Sequence, residues 1–179
     1  MTYLLDTGIW LWSVGQPSRI SRKAREVMAD SRNDVFLSAV TSWEVAIKAA
    51  AGKLRLPEPP DLYVPRRMAA QGLRPLAVSH EHALAVFTLP AHHRDPFDRL
   101  LIAQAKVEEM TLISAYRIFD RYPGTAALGW AMKKPPHRAA SKLLQRMIKQ
   151  RSPPKLPATA HRSCHRKSTD TLSPSDGDR

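Results

Sequence analysis

The chain has 179 residues but a single cysteine, Cys164. An internal disulfide is excluded, and so is a zinc site built from cysteines. That scarcity fits a reducing cytoplasm. No apolar run approaches the ~20 residues needed for a membrane-spanning helix. The N-terminus has no basic leader segment and carries Asp6 where a secretory signal would stay apolar. A soluble, cytoplasmic protein without membrane partners is expected. Acids are also in short supply: 16 Asp+Glu stand against 28 Lys+Arg, a formal charge of +12.

That excess is concentrated at one end. Residues 1–130 carry 16 Lys+Arg and 13 Asp+Glu, a net +3, which leaves +9 for residues 131–179. The length suits one sizeable core. The composition therefore divides into a globular domain over 1–130 and a basic, Pro/Ser-rich tail over 131–179. Pro135-Pro136, Ser152-Pro153-Pro154 and Ser173-Pro174-Ser175 interrupt any long element there. Most of 151–179 should be disordered, since little apolar surface offsets the ordering entropy. A short basic amphipathic helix is expected at 139–150, with Ala140, Leu143, Leu144, Met147 and Ile148 on one face. Such a tail suits a polyanion, or is simply a solvated run.

Within 1–130, buried strands are expected at Tyr3-Leu4-Leu5, Val35-Phe36-Leu37, Arg74 to Val78 and Thr111-Leu112-Ile113. Helical patterns fall between them. Ser38 to Ala51 is the clearest, with Val40, Trp43, Ile47 and Ala50 as its core stripe and Glu44 at the edge of that stripe. Asp95-Pro96 starts another, with Asp at the N-cap and Pro at the first helical position. An apolar helix is expected from Ala83 to Leu89, and a short final one from Ala115 to Arg121. Strands alternating with helices indicate an α/β fold around a mostly parallel sheet, with its working site beyond the carboxyl ends of the strands.

Three acids stand in apolar surroundings: Asp6 after the first strand, Glu44 inside the Ser38 helix, and Asp98 opening the helix after Asp95. Burying a carboxylate is costly unless something neutralises it. A shared hard divalent cation does so, and Mg²⁺, or Mn²⁺ in its place, takes oxygen ligands of this kind. Metal-dependent hydrolysis is the chemistry implied. Without metal, the clustered acids should repel and raise at least one pKa. Each residue also has a simpler reading. Asp98 and Asp95 could serve the helix N-terminus alone. Asp6 could be a turn residue, and Glu44 a solvated one. Ser38 and Ser114 could orient ligands or water, or merely cap helices. Arg99 could meet a phosphate or form a surface ion pair. His92 and His93 diverge and lack a third ligand, which argues against zinc. Trp10, Trp12 and Trp43 fit core packing better than base stacking.

Taken together, Leu4-Leu5-Asp6-Thr7, Ser38 to Lys48 and His92 to Ala105 resemble, in order, the motifs of PIN-domain ribonucleases, in particular VapC-like toxins of bacterial type II toxin–antitoxin systems. The resemblance runs from about Met1 to Trp130. It implies a PIN-like three-layer α/β fold with four to five short strands. It also implies a metal-dependent endoribonuclease with catalytic, metal-binding Asp6, Glu44 and Asp98, and Asp95 as an accompanying metal carboxylate. RNA is then the substrate, a small antitoxin the partner, and a homodimer the assembly. Two positions depart from the pattern. Gly8 stands where the subgroup carries His. Tyr116 stands where it carries a fourth acid, and a neutral phenol is a poor magnesium ligand. That substitution raises the alternative of a weakened PIN module that binds RNA or antitoxin without efficient cleavage. Asp120 could reach inward only with rearrangement.

Overall fold

Leu4 and Leu5 set the geometry of the molecule. Both are fully buried, yet successive strand residues face opposite ways. Their strand, β1 (Thr2–Leu5), must therefore be covered on both faces. The computed structural model, which describes residues 1–92 and 94–122, shows that it is. Tyr3 and Leu5 join one core with Ile9, Trp10 and Trp12, while Leu4 joins a second core with Leu101, Ile102 and Phe119.

The chain runs β1, α1 (Thr7–Gly15), α2 (Arg22–Ala29), β2 (Asp34–Ser38), α3 (Ala39–Ala50), α4 (Pro60–Ala70), β3 (Arg74–Leu76), α5 (His80–Ala85), α6 (Pro96–Val107) and β4 (Thr111–Ile113). Single 3₁₀ turns lie at Pro17–Arg19, Val86–Thr88 and Arg117–Arg121. Among the described residues, four strands form one parallel sheet in the order β3-β2-β1-β4. This is the expected α/β architecture, helix layers on both faces of a parallel sheet. Helices α1, α2 and α4 supply the first core, and α6 supplies the second. Pro75 is tolerated because β3 is an edge strand, where a missing N–H can face away from the ladder. Among the described residues no helix is long and apolar enough to cross a membrane. The tail reading, its helix at 139–150 included, lies outside the described residues.

Three elements differ from expectation. In α3 the buried positions are Val40, Thr41, Glu44 and Val45. Trp43 is 57% exposed, Ile47 is 42% exposed, and Ala50 is exposed as well. The helix is turned so that Glu44 lies on its inner face rather than at the stripe's edge. Two arrangements of a 3.6-residue period compete here, because α3 is apolar on more than one side. A buried hydrogen bond from Thr7 Oγ1 to Thr41 Oγ1 (3.2 Å) accompanies the observed one. Trp43 instead meets Phe97 edge-on at 5.0 Å, so the core reading holds for Trp10 and Trp12 but not for Trp43. Helix α5 starts at His80, ahead of the expected Ala83, because Ser79 and His82 form a reciprocal cap. The segment after β4 is a 3₁₀ turn over Arg117–Arg121 rather than a helix from Ala115.

Candidate functional site

The order β3-β2-β1-β4 means that the chain leaves β1 toward β2 on one side and returns to β1's other side as β4. Such a reversal opens a crevice at the carboxyl ends of the two strands. Asp6 and Ser114 stand there, one residue past β1 and β4 respectively. The Asp6 N–H donates to the Ile113 carbonyl at 3.0 Å, extending the ladder to the acid itself. Asp6 then caps α1: Oδ1 accepts from the Gly8 N–H at 3.3 Å, and Oδ2 accepts from the Ser114 hydroxyl at 2.8 Å. Burial nonetheless raises its pKa to about 6, offset by those two hydrogen bonds and reinforced by the Glu44 carboxylate.

Glu44 projects from the second turn of α3 and is 6% exposed. Its Oε1 is paired with the Lys48 ammonium, four residues on. Its Oε2 is buried and has no hydrogen-bond partner among the described residues. Such an orphaned oxygen is costly to bury.

The helix α6 resolves the two acids at its start into separate jobs. Asp95 is the N-cap, accepting from the N–H groups of Phe97 (2.9 Å) and Asp98 (3.4 Å). Asp98, one turn inward, is 8% exposed. Burial pushes its pKa up to about 9, with the charges of Asp6, Asp95 and Glu44 adding to the shift. A helix N-terminus alone would lower it. Burial, with repulsion from the neighbouring acids added, therefore outweighs the dipole here.

Tyr116 lies in the same field. Burial raises its hydroxyl pKa, and Asp6, Asp98, Glu44 and Asp95 raise it further, so the phenol stays neutral. Asp120 is exposed on the 3₁₀ turn. The four acids thus share one electrostatic neighbourhood. Among the described residues, however, no three His, Cys, Asp or Glu side chains close into a ready-made metal cage. The donor set still suits a hard cation: carboxylate oxygens, one of them orphaned, and two acids whose charged forms are disfavoured as the site stands.

Two of the expected supporting residues are engaged elsewhere. Ser38 caps α3 through the Val40 N–H and donates to Gln104 Oε1 at 2.5 Å. The Arg99 guanidinium donates to the carbonyls of Pro90 (2.8 Å), Val86 (2.9 Å) and Leu89 (3.1 Å). It ties the 3₁₀ turn at Val86–Thr88 and the segment after it to the start of α6. Ser114 donates to Asp6 and also accepts from the Tyr116 N–H at 3.1 Å. His92 is exposed and packs edge-on against Tyr122 at 5.4 Å.

A family model described as "PIN domain" matches residues 3–124. The chain belongs to the PIN-domain family. It is 47% identical over 60 residues to Ribonuclease VapC16 of Mycobacterium tuberculosis, an alignment spanning 34% of this chain and 43% of that relative. Less than half of the relative's length is therefore matched. A solved structure of VapBC2 from Rickettsia felis, bound to a DNA fragment from their promoter, is similar at 19% identity with a TM-score of 0.57. That likeness covers 73% of this chain and all of the matched one, and it shows the fold. VapBC-1 from nontypeable Haemophilus influenzae aligns over 68% of this chain and 92% of its own, at 19% identity and a TM-score of 0.48.

Sequence reasoning missed three residues that shape this PIN domain. Lys48 follows Glu44 by four positions, the spacing at which a helix pairs an acid with a base. Gln104 is fully buried, and the amide inside Leu101-Ile102-Ala103-Gln104-Ala105 was its signal. It accepts from Ser38, donates to the Ala77 carbonyl at 3.0 Å, and lies 3.5 Å from His82 Nδ1. Buried His82 in turn pairs with Glu108 at 2.9 Å. These bonds tie the start of α3 to α6, the helices that carry Glu44 and Asp98.

Proposed function

We propose that this PIN domain is a metal-dependent endoribonuclease acting as the toxin of a type II toxin–antitoxin pair. The observation that carries the reading is the mutual action of Asp6, Glu44 and Asp98, carried respectively at the N-cap of α1, in the second turn of α3 and in the first turn of α6. The resemblance of the motifs and the named ribonuclease relative support the activity. In this reading Asp6, Glu44 and Asp98 hold Mg²⁺ or Mn²⁺, and Asp95 is an accompanying carboxylate. A bound cation supplies an activated water and offsets charge building on the phosphate. Ser114 fixes the Asp6 carboxylate so that it needs little reorganisation. Asp98 would hold a cation only in its ionised form, because only the ionised carboxylate is a good ligand. The partners are an RNA substrate, a small antitoxin that blocks the site, and a second copy of the chain.

Tyr116 favours a second reading, a module that binds RNA or antitoxin and cleaves weakly. Its neutral hydroxyl stands among the acids where the family pattern places a further carboxylate. One assay separates the two: structured RNA incubated with the full chain in Mg²⁺, Mn²⁺ or EDTA, beside Asp6→Asn and Tyr116→Asp. Cutting that needs the cation and disappears in Asp6→Asn supports the nuclease. Cutting by Tyr116→Asp alone supports the weakened module, and cutting that persists in EDTA refutes the metal role.

A further inference from the structure

We propose that Lys48 competes with the divalent cation for Glu44, its ammonium holding that carboxylate until a cation displaces it. The inference rests on the metal reading above. It starts from the two oxygens of one buried side chain. Oε1 is paired with Lys48, whereas Oε2 is buried without a hydrogen-bond partner among the described residues. A carboxylate taken out of water in this way needs a positive charge beside it. Lys48 supplies one, and its charge also favours the ionised forms of Asp6 and Asp98.

The pairing is built to be reversible. Glu44's side chain is 8% exposed but that of Lys48 is 38% exposed, so the base reaches in from the solvent side. A lysine stem is long and flexible, and its ammonium is well hydrated when it swings out. Departure of Lys48 would free Oε1 beside the already unpartnered Oε2. A cation could then take up the carboxylate in full. The ion pair therefore stabilises the metal-free fold while setting a threshold for metal uptake.

The test is a Mn²⁺ titration of the full chain, reading free Mn²⁺ by electron paramagnetic resonance. Lys48→Met should bind about fivefold to tenfold tighter than the parent. Lys106→Met, an equal charge change at the exposed far end of α6, should stay within about twofold. Lys48→Gln provides the same measurement if the methionine variant folds poorly. Equal affinities in the parent and Lys48→Met would overturn the competition while leaving the metal reading intact. Equal gains in Lys48→Met and Lys106→Met would also overturn it, as an effect of net charge. Absence of saturable binding in both the parent and Lys48→Met at millimolar Mn²⁺ would overturn both readings.

Discussion

At the scale of single residues, Asp98 controls the pH response. Its pKa lies near 9 in the fold against an ordinary 3.8. The folded chain thus binds this proton more tightly than the unfolded one. The resulting stabilisation is complete below about pH 4 and is lost as pH rises through 9. Asp6, raised to about 6, adds to the loss over the lower part of that window. In EDTA, urea midpoints should therefore fall steadily from pH 5 to pH 9. Asp98→Asn should flatten the upper half of that slope; an unchanged slope would place the titration elsewhere. Gln104 provides a second residue-scale test. Gln104→Ala leaves the buried Ser38 hydroxyl without its acceptor, at a cost of about 1–3 kcal/mol in urea unfolding.

At the scale of elements, α3 is the informative case. Its sequence permits two inner faces. The expected face would bury Trp43 and Ile47, whereas the observed one buries Thr41, Glu44 and Val45. Truncation distinguishes them. Val45→Ala should cost about 2 kcal/mol, because a fully buried branched side chain leaves a cavity. Ile47→Ala should cost less than about 1 kcal/mol, since the residue is largely exposed. The reverse order in equilibrium unfolding would restore the expected stripe and turn Glu44 away from Asp6. In α6 the two opening acids could not be ranked from sequence, because a cap and a site carboxylate both favour a helix start. Their separation into cap and inward acid depends on which side of the helix faces α3 and β1.

At the scale of the whole molecule, the acids come from positions 6, 44 and 98, and only the sheet order brings them together. Cation binding should therefore stabilise the fold as a unit. With the full chain, Mg²⁺ or Mn²⁺ should raise the melting temperature, and by more at pH 8 than at pH 5, because ionised acids are the ligands. Asp6→Asn or Asp98→Asn should remove most of that increment. An increment that survives in both variants would place the cation elsewhere.

The sequence by itself determined the alternation of strands and helices, both faces of β1 being apolar, the Asp95-Pro96 helix start, and the apolar settings of Asp6, Glu44 and Asp98. Each of these is written in local patterning and in the cost of burying charge. The tertiary structure decided how α3 is turned, the capture of Arg99 by carbonyls, the engagement of Ser38 by Gln104, and the pairing of Lys48 with Glu44. It also decided that Tyr116 faces the acids while Asp120 does not. The physical reason is that periodicity shows a helix has an inner face without choosing between two nearly equal ones. That choice belongs to neighbours distant in the chain, through hydrogen bonds such as Thr7 to Thr41 and Ser38 to Gln104.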